Sequence, residues 1–288
     1  MCCAANRGAF VTQALAQKTY RTLLLSDLHI GSFRCKADRL AEFLSRCQAE
    51  TIILVGDVFD FWSFRGGGTW SSDHAKLVAW FHVAVCNGSR LIIIPGNHDA
   101  VLASFSSLDI PGLEFHHEFI HETANGERFL VVHGHEHDDF LNQSERIAPL
   151  LCSLSERMFG VVNSIKLTER RSQHVRQRFR ASWVWMRRSI GGVNRSELRL
   201  IYEARQRRLD GVICGHTHLP GDFVLDGTRY LNCGDWVGNC TAITESWSGE
   251  LELQTWRDQR DCCSTEAGQH VRAKFWDWPE AASAKATT

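Results

Sequence analysis

Five short apolar runs punctuate the chain, at Thr22–Ser26, Thr51–Val55, Arg90–Pro95, Arg128–Val132 and Gly211–Cys214. They are β-branched or aliphatic and nearly continuous, which predicts buried strands. Each run closes on a polar motif: Asp27-Leu-His29, Gly56-Asp57, Gly96-Asn97-His98-Asp99, His133-Gly134-His135 and Gly215-His216-Thr217-His218. Open α/β sheets place their ligand crevice beyond the carboxyl ends of the strands, because the loops there converge on one edge of the sheet. The pattern therefore predicts that five motifs distant in sequence meet in one cleft.

The chemistry of the motifs narrows what that cleft holds. Asp27, His29, Asp57, Asn97, His133, His216 and His218 offer carboxylate, amide oxygen and imidazole without thiolate, the donor set of borderline-hard divalent ions such as Mn, Fe or Zn. Each fragment alone is ambiguous. His216-x-His218 reads equally well as ordinary hydrogen-bonded histidine, and Asp57 after a glycine as a turn residue or helix cap. Together they exceed the needs of one tetrahedral ion, whereas two ions sharing a bridging carboxylate would use them all. Two-metal sites hold their ions roughly 3.5 to 4 Å apart, clamp an anionic substrate and acidify a bound water. The expected reaction is in-line hydrolysis of a phosphate ester by hydroxide held on the metals.

The order D-x-H, G-D, G-N-H-D, H-G-x, G-H-x-H resembles the calcineurin-like metallophosphoesterases over about residues 21 to 140 and 209 to 257. The resemblance implies a two-sheet β-sandwich flanked by helices, an αββα arrangement. It also implies that Asp27, His29, Asp57 and His218 hold one ion, and that Asp57, Asn97, His133 and His216 hold the other. Asp57 would be the bridge. His98 would face the substrate, stabilising charge or protonating the leaving oxygen, with Asp99 orienting its imidazole. The stretches Gly56–Trp62, Asp210–Pro220 and Tyr230–Ala242 are similar to the branch containing UDP-2,3-diacylglucosamine hydrolase, which splits a pyrophosphate in lipid A synthesis. The characterised lipid A enzymes carry Arg at the position of His98, and a permanent bidentate cation is not equivalent to a group that exchanges a proton. Within the resemblance, a broader phosphodiesterase or phosphomonoesterase is the alternative. A catalytically inactive scaffold is the reading of a different class, and the complete motif set argues against it.

Between His133-Gly134 and Asp210 the strand rhythm stops. Residues 140–208 carry about fifteen Lys and Arg, among them Arg176, Arg178 and Arg180, with apolar positions at approximately helical spacing. A basic helical cap inserted in one catalytic domain is expected, with tails at 1–20 and 259–288. The cap can bind acyl chains and diphosphate and rest on an anionic membrane surface, or it can be a solvated helical face. Arg176, Arg178, Arg180 and His135 are the candidate substrate contacts. Nucleic acid is disfavoured, because the aromatic residues here sit at core spacing and form no stacking platform.

Length and composition agree with this organisation. A chain of 288 residues, 44% hydrophobic, can bury one large core with a small insertion. No apolar run reaches the roughly 20 residues a bilayer span needs, and the opening residues lack a signal core. The eleven scattered cysteines read as reduced thiols. A cytoplasmic protein, peripheral to the inner face of the membrane at most, is the expectation.

Overall fold

The computed structural model describes residues 18–65, 67–137 and 195–256. All five apolar runs are strands, and they divide between two sheets. The first sheet has the order β11-β10-β1-β2-β3-β4. It is built on β1 (Lys18–Leu25), β2 (Cys47–Val55), β3 (Arg90–Ile94) and β4 (Leu113–Phe115), all parallel, and is extended antiparallel by β10 (Thr241–Glu245) and β11 (Leu251–Thr255). The second sheet has the order β5-β6-β7-β9-β8. Its parallel centre is β6 (Arg128–Val131), β7 (Gly211–Cys214) and β9 (Thr228–Asn232), edged antiparallel by β5 (Phe119–Glu122) and β8 (Gly221–Leu225).

The period-two alternation of each strand assigns its side chains to layers. From β1, β2 and β3, Leu24, Ile53, Val55, Ile92 and Ile94 point between the sheets and meet Phe129, Val131, Ile213 and Leu231 from the second sheet. Their neighbours Leu23, Leu25, Ile52, Leu54, Leu91 and Ile93 point the other way. There they are covered by α1 (Ala37–Ser45), which contributes Leu40, Phe43 and Leu44, and by α3 (Ser72–Cys86), which contributes Leu77 and Phe81. A short α2 (Phe61–Arg65) lies between them in sequence. On the outer face of the second sheet, Leu130, Val212, Cys214 and Tyr230 receive Leu200, Ile201 and Ala204 of α4 (Arg195–Gln206). The result is helix, sheet, sheet, helix, so strands buried on both faces read as continuous apolar runs.

Two expectations change here. The motifs do not share the edge of one sheet: three follow strands of the first sheet and two follow strands of the second. The cleft lies where the carboxyl ends of both sheets meet. The last part of the stretch read as an insertion, α4, is a structural helix, because its Leu200, Ile201 and Ala204 stripe seals the second sheet. Arg205 of α4 pairs with Asp226 at 3.2 Å, and Arg207 just beyond it pairs with Glu118 at 2.6 Å, so these cations serve local ion pairs. Arg176, Arg178 and Arg180 lie outside the described residues, as do both tails.

Candidate metal centre

After β1, β2 and β7 the loop turns sharply, and the turn is made by the candidate ligands themselves. Asp27, His29, Asp57, His216 and His218 all lie in the left-handed region, with φ of 53°, 49°, 52°, 65° and 56°. Non-glycine residues there are uncommon, although Asp and His tolerate it better than most. Such strain persists only where surrounding bonds over-determine it. Here the loops hydrogen bond to one another: Asp27 N–H to Gly56 O (3.1 Å), His29 N–H to Asp57 O (2.9 Å), His98 N–H to Asp57 Oδ1 (2.8 Å) and His216 N–H to Asp27 Oδ2 (2.9 Å). The glycines of the motifs make room. A Cβ on Gly56 would strike the His133 ring, one on Gly96 the Asp57 carboxylate, and one on Gly215 the Ser26 hydroxyl and Asp27 carboxylate.

This backbone aims the ligand atoms at one another. The His218 Nε2 lies 3.2 Å from Asp27 Oδ1, His133 Nε2 lies 3.5 Å from Asp57 Oδ2, and His29 Nε2 lies 3.8 Å from both Asp27 Oδ1 and Asp57 Oδ2. Ligands bound at about 2.1 Å to a shared ion stand about 3.0 to 3.4 Å apart in octahedral or tetrahedral geometry, so the observed spacings need only small closure. Among the described residues, Asp27 Oδ1, His29 Nε2, Asn97 Oδ1 and His133 Nε2 are buried without a hydrogen-bond partner. An unsatisfied buried polar atom costs about 1–3 kcal/mol, and three of them, on Asp27, His29 and His133, gathered around Asp57 fit a site that closes on cations. Asp27, His29 and His218 form one candidate cluster and Asp27, Asp57 and His133 another. The His216 ring stands 5.2 Å from that of His133.

The imidazoles are locked by what lies behind them. His133 Nδ1 donates to Val55 O at 2.9 Å, which leaves Nε2 as the ligand atom. His98 Nδ1 donates to Asp60 Oδ1 at 3.0 Å, and the His29 Nδ1 sits 3.5 Å from Asp60 Oδ2. The Trp62 ring covers His98, with centroids 3.9 Å apart. The expected partner of His98, Asp99, does something else. Its carboxylate accepts the backbone N–H groups of Val58 (2.7 Å), Phe59 (3.1 Å) and Gly96 (2.7 Å), tying the second and third motifs together. Asp60 orients His98, and sequence reasoning missed it, as it missed Asp235 behind His218. Both lie inside stretches that carried the family resemblance, and a loop Asp by itself reads only as a turn residue.

Electrostatics couple the buried carboxylates to the imidazoles around them. Burial disfavours charge on Asp57, but the surrounding His133, His98 and His29 outweigh it and hold its carboxyl well below the usual range. Asp60 is lowered likewise by His29 and His98 against its burial. Burial pushes His133 down, yet Asp57 overrides it and lifts the imidazole to about 10; His98 is also raised, by Asp60 and Asp57 against its burial. Buried carboxylates thus favour positive charge in the cleft. His135 adjoins the second cluster, its ring 5.4 Å from His133, and burial pushes it down to about 4. His137 instead bonds Glu203 of α4 at 2.8 Å and fastens the loop to that helix.

The sequence profile of the calcineurin-like phosphoesterases matches residues 20–220, and the chain belongs to this family. It is a metal-dependent phosphoesterase. A UDP-2,3-diacylglucosamine hydrolase of Porphyromonas gingivalis is 28% identical over 258 residues, covering 81% of this chain and 96% of the relative. Among solved structures, an archaeal phosphodiesterase aligns over 82% of this chain and 99% of its own with a TM-score of 0.41 and 14% identity. The phosphopantetheinyl hydrolase of Mycobacterium tuberculosis aligns over 76% and 91% with a TM-score of 0.36 and 14% identity. Among the described residues no helix is long and apolar enough to cross a membrane.

Proposed function

We propose that the protein hydrolyses the pyrophosphate or phosphoester bond of an amphiphilic, nucleotide-linked substrate similar to UDP-2,3-diacylglucosamine, with two divalent ions held across Asp57. Asp27, His29, Asp57 and His218 would hold one ion; Asp57, Asn97, His133 and His216 would hold the other. Mn is the first candidate, with Fe or Zn as alternatives, since the donor set accepts all three. When bound, the ions supply positive charge against the phosphate and acidify a water. The observation that carries this reading is the convergence of orphaned ligand atoms from separate strand ends, on a chain of this family.

The chain's own residues do the rest. His98 is pinned through Nδ1 by Asp60 and covered on one face by Trp62, so its Nε2 edge is the one left to meet substrate. As water oxygen bonds to phosphorus and releases a proton to solvent, the bridging P–O bond breaks and the leaving oxygen takes the proton from His98 Nε2, which is then reprotonated from solvent. Asn97 and His98 bind phosphoryl oxygens, and His135 contacts the substrate beside the second ion. The basic stretch with Arg176, Arg178 and Arg180 would bind the diphosphate and approach an anionic membrane surface, which suits a cytoplasmic enzyme of lipid A synthesis. The substrate assignment draws on the P. gingivalis relative, which spans nearly the same length.

The test is release of UMP from UDP-2,3-diacylglucosamine with added Mn, against an Asp57→Ala background and with bis-p-nitrophenyl phosphate in parallel. Asp57-dependent UMP release supports the assignment. Turnover of the generic diester alone would retain a phosphodiesterase and reject this substrate.

A further inference from the structure

We infer that Asp235 is the positioning residue for His218, fixing the tautomer and direction in which that imidazole offers Nε2 to an ion, an inference that rests on the two-ion reading above. Asp235 is buried in the loop after β9, 1% exposed. One of its oxygens, Oδ1, accepts three successive backbone N–H groups, from Val237 (3.1 Å), Gly238 (2.6 Å) and Asn239 (2.7 Å). The other, Oδ2, accepts from His218 Nδ1 at 3.0 Å and from Asn239 Nδ2 at 3.1 Å. The same Asn239 amide reaches the His218 carbonyl oxygen at 2.6 Å. The carboxylate is thus anchored to its own loop by one oxygen while the other holds the ring.

The consequence lies on the far side of that ring. With Nδ1–H directed at Asp235, Nε2 faces Asp27 Oδ1 across 3.2 Å. A neutral imidazole would set its lone pair against a carboxylate oxygen there. Only a proton or a metal ion between the two makes the arrangement favourable, so the Asp235 bond dedicates Nε2 to a cation. His218 itself is in the left-handed region at φ 56°, and the two bonds from the β9 loop, one to its ring and one to its carbonyl, oppose relaxation of that turn. Carboxylates behind a ligating histidine typically govern metal affinity by 10- to 100-fold.

Asp235→Asn tests this, though its N–H also comes to face the Asn239 amide, a donor. An Asn keeps an oxygen for the three backbone N–H groups but presents N–H to His218 Nδ1, which favours the tautomer whose Nε2 is protonated and cannot ligate. The readout is Mn stoichiometry and affinity of the full chain by titration calorimetry, with melting of the chelated protein as a control for fold. The wild type is expected to take up two ions. Asp235→Asn should weaken one of them by 10- to 100-fold and leave the other unchanged, and in a His218→Ala background it should add no further loss. Two ions bound with wild-type affinities would overturn the role of Asp235 while leaving the two-ion reading intact. A further loss in the His218→Ala background, or equal weakening of both ions, would also overturn it, by showing a general structural effect. Failure of the wild-type chain to bind Mn, Fe or Zn would overturn both readings.

Discussion

Replacing His98 by Ala should slow hydrolysis selectively for substrates with poor leaving groups. His98 is held from behind by Asp60 at 3.0 Å and roofed by Trp62 at 3.9 Å, its Nε2 lies 4.0 Å from Asp57 Oδ2, and the proposed function gives it no share in holding the ions. Its removal therefore leaves the proposed ion ligands Asp27, His29, Asp57, Asn97, His133, His216 and His218 in place. A positioned general acid contributes about 10²- to 10⁴-fold, or about 3 to 5 kcal/mol of barrier at 1.36 kcal/mol per decade. That loss should appear in kcat for an alkyl phosphodiester. It should shrink markedly for bis-p-nitrophenyl phosphate, whose leaving group departs as a stable anion and needs no proton. Asp60→Asn should produce a smaller loss of the same character, and adding it to His98→Ala should cost little more in leaving-group sensitivity, since the two act as one unit. The assay is kcat against leaving-group acidity for wild type and both variants, with Mn content measured in each. Equal slowing across the series, with full metal content, would refute the proton-donor role and leave His98 only as a phosphate contact.

Other expectations follow from particular contacts. Gly96→Ala should abolish Mn binding and activity together, because the new Cβ collides with the Asp57 carboxylate, whereas Gly221→Ala meets only ordinary contacts at 3.8 Å and beyond and should retain both. Chelation should lower the melting temperature of the wild type and have little effect on Asp57→Ala; at a metal concentration 100-fold above Kd the stabilisation is about 2.7 kcal/mol for each independent ion. Away from the cleft, Glu245 is buried against Arg21, Thr22, His121 and the Ala124 amide. Burial raises its pKa, but these partners outweigh it and bring the carboxyl to about 2, below its ordinary 4.5. Its contribution is therefore present above pH 4.5 and lost as the pH falls toward 2, so Glu245→Gln should flatten that part of the acid-unfolding curve. An unchanged curve would remove Glu245 from the account of acid stability.

The strands most legible in the sequence were those buried on both faces: Leu23–Leu25, Ile52–Val55 and Leu91–Ile94 have no polar alternation to confuse with a surface. Their division between two sheets was not written in them, because a doubly buried strand looks the same in either. The clustering of the candidate ligands was legible for a related reason, since each motif closes its strand. What the sequence hid were relations across loops. The resemblance implied that Asp99 orients His98, yet its carboxylate turns back to the amides of Val58, Phe59 and Gly96. The true partner, Asp60, arrives from another motif. Asp235 likewise reaches His218 from 17 residues away. The helical stretch Arg195–Gln206 read as part of a basic cap because its charges dominate the composition, while the three residues that seat it on the sheet, Leu200, Ile201 and Ala204, are a small fraction of it.

The central claim is that one carboxylate, Asp57, joins two ions whose other ligands come from both sheets. Anomalous scattering from crystals of the full chain grown with Mn tests it directly. The account predicts two peaks roughly 3.5 to 4 Å apart on either side of Asp57, one against Asp27, His29 and His218 and the other against Asn97, His133 and His216. A single peak, or two that do not share Asp57, would contradict it.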